Sequence, residues 1–449
     1  MTNEGLSGIG LGILDRLTDV FPTKVPRIFQ SLFLRTVGSP IVDRWIFKMH
    51  QRRLRKVPSF ERLLVVADVG IGDALIVQRS LSVLRSLFPS SRIDYVCSKT
   101  AGEILLSLPA ADHVYPLFDR HGTPSGQSYR AIWELLDAVE YSALLNLSPF
   151  LDSRIFRASV PVLDIYIPLA SQIVRLWRTP GEKRHISIAV PQFFEKFFSS
   201  VSVRQPALAA GDHFPAPGGE VLAGNVVYIP EASIDAAEEF LMRKGLGSLN
   251  GIVFFSPDAT SVYSMIPLTM QVELLRSLAE NDMVASILVG AAYAQKGIEH
   301  RLMDALPARL RNRVIIVPHI PLPEYAALLD ASEVFLSGDG GPSHVAAAWK
   351  QSCEGMRTLR NRTAVFTVFG GTDSRMYGYD SYRDDYVAAS QRAPSRVFDA
   401  PAPCRNITCV DKLGKSCREV RCFAGLRTES VSRAVSEYLA SLSRMRHSA

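Results

Sequence analysis

The chain has 449 residues, with 50 Lys and Arg against 44 Asp and Glu, and is 47% hydrophobic and 21% charged. This balance excludes wholesale disorder and supplies core material for two or three domains. The net charge of +6 is mild and on its own fits nucleotides, phospholipid headgroups or nucleic acid, while no apolar run approaches the ~18–20 residues of a membrane span.

The start, MTNEGLSGIGLGILDRL, places an acid ahead of its apolar stretch and has no basic leader. No signal peptide is expected, and the expected location is the cytoplasm, with contact to the inner face of the cytoplasmic membrane. Residues 24–56 then carry Lys24, Arg27, Arg35, Arg44, Lys48, Arg52, Arg53, Arg55 and Lys56 against a single acid, Asp43. Apolar residues such as Ile28, Phe29, Leu32, Trp45 and Phe47 are interleaved. Two readings stand side by side. One is a basic amphipathic element on an anionic membrane surface. The other is a helical extension packed on the protein with its basic face in water.

From residue 61 the pattern becomes strand, turn, helix, strand. Leu63–Ala67 is a short apolar run suited to a buried parallel strand, Gly70 and Gly72 punctuate a turn, and Leu75–Leu87 has helical spacing. Arg92–Cys97 follows as a strand, Ala101–Leu108 as a helix, His113–Leu117 as a strand, Tyr129–Val139 as a helix and Ala143–Leu147 as a strand. The FEKFF run at 194–198 reads as a helix face rather than a binding box. Residues 203–225, rich in Pro, Gly and Ala, mark a boundary. A second series follows. Its predicted strands are 251–256, 284–289, 314–317, 334–337 and 364–369, with helices at 268–280, 296–306, 323–330 and 342–349 between them. A last helix, 430–445, is expected to pack back across the pair. The rhythm predicts two α/β, doubly wound parallel sheets in tandem, with ligands at the carboxyl ends of the strands and a cleft between the domains.

Two loops carry candidate chemistry. In SGDGGPSHVAAAW (337–349), the strand ends in Gly338, Asp339, Gly340 and Gly341, and Pro342 opens a helix. Close backbone approach and free helix N–H groups suit a phosphate, and His344 lies in the first turn as a further donor. The alternative is a tight strand–helix turn capped by Asp339. In VADVGIGDALI, Asp73 stands just past a strand end. It is placed either to take a proton from an attacking hydroxyl or merely to complement the helix dipole. GxGxxG, HExxH, P-loop and GxSxG patterns are absent from the sequence.

The 337–349 loop resembles the Asp-Thr-Gly-Pro-x-His-x-Ala-Ala signature of glycosyltransferase family 9, the ADP-heptose:lipopolysaccharide heptosyltransferases. The preceding LPEYAALLDASEVFLSG, the following VFTVFGGTDSRMYGY (365–379), the stretch 226–260 and the block from VADVGIGDALI to HVYPL are similar to that family in order and spacing. The resemblance covers roughly residues 61–440. It implies a GT-B fold of two Rossmann-like doubly wound parallel-sheet domains facing a cleft. It divides the chain into a basic N-terminal extension (1–58), an acceptor-side domain (59–225), a nucleotide-sugar-binding domain (226–400) and a Cys-containing segment with a C-terminal helix (401–449).

The same resemblance implies an inverting transfer of a sugar, heptose from ADP-heptose first, to a lipopolysaccharide core or related surface glycan. Asp73 would be the base and Gly70 and Gly72 the acceptor-side loop. Thr260, Asp339, Gly340, Gly341, Pro342, Ser343 and His344 would hold the donor diphosphate. The partners implied are a nucleotide-diphosphate sugar and a glycan or glycolipid, with no nucleic acid, and the chemistry requires no cofactor. The chain departs from the family at Gly340, where the family has Thr. It also departs at Ser264 or Met265, in place of a Lys, at Ile266 in place of Trp, and at the Ala-Ala of VGAAYAQK in place of a donor-binding Glu. These departures open the alternatives of another nucleotide sugar or a catalytically weakened GT-B binding subunit.

Cys404, Cys409, Cys417 and Cys422 form C-x4-C-x7-C-x4-C, a spacing compatible with a tetrathiolate Fe or Zn site or with free thiols. Within the family such a finger accompanies protein O-heptosyltransferases, a further alternative. Cys97 and Cys353 read as structural.

Overall fold

The structure is a computed structural model that describes residues 40–105, 110–119, 124–148, 151–179, 185–202, 227, 229–247, 250–257, 259, 264–290, 297–352, 363–379, 394–399 and 421–447. Two parallel sheets organise it. The first has strands β1 (Arg62–Val66), β2 (Arg92–Ser98), β3 (His113–Phe118), β4 (Ala143–Asn146) and β5 (Val162–Asp164) in the order β3-β2-β1-β4-β5. The second has β6 (Ile252–Ser256), β7 (Ser286–Val289), β8 (Val314–Ile316), β9 (Val334–Gly338), β10 (Ala364–Phe369) and β11 (Ser395–Asp399) in the order β11-β10-β9-β6-β7-β8. Both sheets are doubly wound, as expected. The short edge strands β5 and β11 lie outside the expected set, because three to five residues of mixed polarity carry little periodic signal.

The central strands are buried on both faces. β6, β9 and β10 have no exposed residue, which is why their sequences are continuous apolar runs rather than alternating ones. The helices are α1 (Pro40–Leu54), α2 (Ile71–Leu87), α3 (Lys99–Leu105), α4 (Gly126–Ala138), α5 (Tyr166–Arg178), α6 (Ile186–Ser202), α7 (Glu231–Arg243), α8 (Leu268–Ala279), α9 (Ile298–Ala305), α10 (Leu322–Asp330), α11 (Gly341–Ser352), α12 (Ser374–Tyr377) and α13 (Thr428–His447). Helix α6 buries Phe193, Phe194, Phe197 and Phe198 among Phe47, Phe60 and Phe88. The FEKFF run is therefore a packed helix face. Helix α13 packs on α8 and the second sheet's outer layer, with Val431, Val435 and Leu439 in the same cluster as Leu274 and Phe366. The expectation that it reaches back across both domains is replaced by this single-domain seat.

Helix α1 packs its apolar side on the protein and turns its basic side outward. Val42, Trp45 and Ile46 pack against Tyr166, Ile167 and Val174, and the Ser171 hydroxyl donates to Asp43. Arg44, Lys48, Arg52, Arg55 and Lys56 point to water together with Ile41. This is a packed extension with a solvated basic stripe; residues 24–39 lie outside the described residues. Among the described residues, no helix is long and apolar enough to cross a membrane.

The domains touch. One apolar cluster contains Leu75 and Leu81 of α2 as well as Val345 and Ala346 of α11. The Glu103 carboxylate of α3 accepts from the Leu322 amide at 3.0 Å, supplying a side-chain cap to α10 from the other domain.

Candidate functional site

In a doubly wound sheet the strand order reverses at one point, and the crevice there receives ligands. In the first sheet that point lies between β1 and β4, and in the second between β6 and β9. The loop holding Gly70, Gly72 and Asp73 follows β1, and the loop holding Asp339, Gly340 and Gly341 follows β9. The two loops that sequence singled out thus stand at the two switch points. The helices they open, α2 and α11, pack against one another. Gly70 caps α2 in extended geometry (φ −64, ψ 162) without a side-chain hydrogen bond, and Asp73 in the first turn is exposed.

The contact between the two helix starts is tight. A Cβ added to Gly72 would lie 2.6 Å from Cδ2 of His344 and 3.3 Å from its Nε2. Only glycine lets the imidazole rest there. His344 is 5% exposed, and its Nδ1 is 3.0 Å from the Tyr379 hydroxyl. Burial depresses its pKa to about 4, so the ring is neutral near pH 7.

Asp339 faces inward and binds loops rather than solvent. The Thr372 hydroxyl donates to its Oδ2, and Ser264 hydrogen-bonds to it as well. Its pKa is raised to about 6 by burial first, with the two hydrogen bonds opposing and the neighbouring Asp73 charge adding to the rise. One carboxylate therefore ties together the segments after β6, β9 and β10. Gly338 completes the join: a Cβ there would come within 2.5 Å of the Ser264 carbonyl oxygen. Among the described residues Gly340 is open, with the nearest atoms to an added Cβ at 3.7 and 3.8 Å. Ser343 closes the first turn of α11, its hydroxyl and amide both donating to the Gly340 carbonyl, and Pro342 and Ser343 are buried.

In the first domain, the carboxyl ends of β4 and β5 are held by a polar network. Asn146 Nδ2 donates to Asp164 Oδ1 at 2.9 Å, Ser153 Oγ donates to the same oxygen at 2.6 Å, and Asn146 Oδ1 accepts from the Ser148 amide. Sequence reasoning passed over these residues, and also over Arg79, Thr372 and Tyr379. Arg79 carried one usable signal, a lone cation inside the otherwise apolar and small-residue face of α2. Of the expected donor residues, Thr260 lies outside the described residues, as do Cys404, Cys409 and Cys417. Cys422 is described and buried at the edge of the second domain's core, and Cys97 is buried. Among the described residues, no group of three or more His, Cys, Asp or Glu is placed to hold a metal ion.

Two doubly wound parallel sheets, with the helices of their switch points set against each other, define a GT-B architecture. Residues 228–353 match the model of glycosyltransferase family 9 (heptosyltransferase). The resemblance read from the 337–349 loop is thereby borne out over the matched segment. Among solved structures, the chain is similar to the ADP-heptose LPS heptosyltransferase II of E. coli, at 13% identity and TM-score 0.53, over 85% of this chain and 99% of that one. It is also similar to a glycosyl transferase family 9 protein of Veillonella parvula DSM 2008, at 14% identity and TM-score 0.57, over 85% and 98% of the two chains. At these identities the likeness is one of fold. No curated protein matches the sequence.

Proposed function

We propose that the chain is an inverting glycosyltransferase that takes a sugar from a nucleotide diphosphate, ADP-heptose first among candidates, and passes it to a lipopolysaccharide core or related surface glycan. The supporting observation is the meeting of the two switch points, which sets Asp73 of one domain opposite the helix start carrying Gly340, Gly341 and His344 of the other. The heptose and lipopolysaccharide assignments follow the relatives' chemistry.

In the proposed step an acceptor hydroxyl oxygen bonds to the anomeric carbon from the face opposite the diphosphate. Asp73 takes the hydroxyl proton, and the anomeric C–O bond to the diphosphate breaks with its electron pair. The departing charge is met by the amides at the start of α11 and by a neutral His344. The chain's own groups supply both the base and the leaving-group stabilisation, so the step requires no divalent metal. The basic stripe of α1 holds the protein near an anionic, lipid-linked acceptor at the inner face of the cytoplasmic membrane.

A thermal-shift screen against nucleotide-diphosphate sugars tests this reading. One nucleotide family is expected to stabilise the protein. Asp73→Ala is expected to spare that shift while abolishing transfer. Full turnover by Asp73→Ala would refute the assignment of the base, and absence of any shift would remove the donor site.

A further inference from the structure

The Nδ1 edge of His344 meets Tyr379, and residues of the first domain meet Tyr379 in turn. Tyr379, 1% exposed, places its hydroxyl on Nδ1 at 3.0 Å and its ring edge-on to the imidazole, with centroids 5.6 Å apart and planes at 78°. His185, from the loop entering α6, lies against the other side of the tyrosine at 4.6 Å between centroids. The Ser187 amide donates to Nδ1 of His185, so the His185 proton resides on Nε2. Arg79 of α2, 2% exposed, donates through Nη1 to the Ser187 carbonyl at 3.2 Å and has a charge interaction with Tyr379.

A neutral imidazole bonded to a hydroxyl can take the proton at either nitrogen. If Nδ1 carried it, His344 would donate to the tyrosine oxygen and present a bare acceptor on its other edge. The surroundings of the phenol favour the opposite arrangement. Among the described residues the hydrogen-bond partner of the buried Tyr379 hydroxyl is Nδ1 of His344, and a buried O–H with no other acceptor donates there. The proton of His344 then sits on Nε2, the edge lying over Gly72 at the start of α2.

We propose that Tyr379 is a positioning residue that holds His344 in its Nε2–H form. The histidine therefore acquires a fixed donor edge through a residue of its own domain. The inference rests on the reading of this site as the diphosphate pocket, and it deepens that reading by fixing which edge of one phosphate-directed group donates.

The test uses the full chain labelled with 15N-histidine. Long-range 1H–15N correlation reports which ring nitrogen of His344 is protonated, with the signal assigned by its loss in His344→Gln. The expected result is a single Nε2–H form in the parent and tautomer averaging in Tyr379→Phe, which keeps the ring and removes only the hydroxyl. Turnover of the donor identified by thermal shift is expected to show kcat reduced about tenfold in Tyr379→Phe, with donor KM changed less than about threefold. An Nδ1–H form in the parent would overturn the proposal, whatever the fate of Tyr379→Phe. Persistence of the single Nε2–H form in Tyr379→Phe would overturn it too. The tautomer spectrum stands whether or not any sugar is transferred, so failure of the glycosyltransferase reading shows separately, as absent turnover beside an intact Nε2–H signal.

Discussion

Gly72→Ala is the sharpest probe of the contact between the two helix starts. The added methyl would lie 2.6 Å from His344 Cδ2, short of the carbon–carbon optimum by about 1 Å. The ring cannot retreat freely, because its Nδ1 is bonded to Tyr379 and both residues are buried. Overpacking of this kind costs about 1–3 kcal/mol, while replacing glycine inside a helix gives back about 0.5–1 kcal/mol. The net expectation is a loss of up to about 2.5 kcal/mol. A double-mutant cycle isolates the clash. With His344→Ala as background the methyl has room, so Gly72→Ala is expected to be neutral or stabilising, and the two substitutions to couple by at least about 1 kcal/mol. Denaturant unfolding of the four proteins measures the cycle. Additivity within about 0.5 kcal/mol, or a Gly72→Ala protein more stable than its parent, would refute the direct contact.

Two glycines of one loop should behave oppositely. Gly338→Ala meets a backbone oxygen at 2.5 Å and is expected to cost about 1–3 kcal/mol, whereas Gly340→Ala meets nothing closer than 3.7 Å and should stay within about 0.5 kcal/mol of the parent; melting temperatures decide. Thr372→Val removes a hydrogen bond to the buried Asp339 carboxylate and is expected to cost about 1.5–3 kcal/mol. It should also weaken the stabilisation given by the nucleotide donor. An unchanged thermal shift would show that the clamp does not shape the donor loop. His50 is fully buried and, among the described residues, without a hydrogen-bond partner, and its pKa is lowered to about 3 by burial first and Arg53 second. The unfolded chain takes up this proton near pH 6.5 and the folded one does not. Stability is therefore expected to fall as pH drops below about 6.5, by up to about 1.4 kcal/mol per pH unit from this group, and His344 acts in the same sense. His50→Leu should flatten the profile between pH 7 and 5; an unaltered slope would assign the acid sensitivity elsewhere.

The legible part of this protein is the part written in short-range pattern. Continuous apolar runs at 63–67, 252–255 and 334–336 announce strands buried on both faces, and the glycines that follow the first and last of them announce turns at strand ends. Because ligands gather where the strand order of such sheets reverses, Asp73 and the Asp339–His344 loop could be named without knowing how the sheets meet. What escaped is the pairing across the border. Nothing within a few residues of Gly72 states that an imidazole will lie on it. The GGTDSRMYGY stretch likewise does not reveal that Thr372 will bind Asp339 or that Tyr379 will bind His344. Such contacts join distant segments whose relative placement is fixed only when both sheets have formed. They also alter the chemistry assigned to a motif. Read alone, Asp339 and His344 are groups offered to a phosphate. In the fold, Asp339 is turned inward as a clamp on two neighbouring loops, and His344 has one nitrogen already engaged by Tyr379. On the proposed reading, the loop keeps its backbone amides and a single imidazole edge for an anion, while its remaining polar groups hold it in shape.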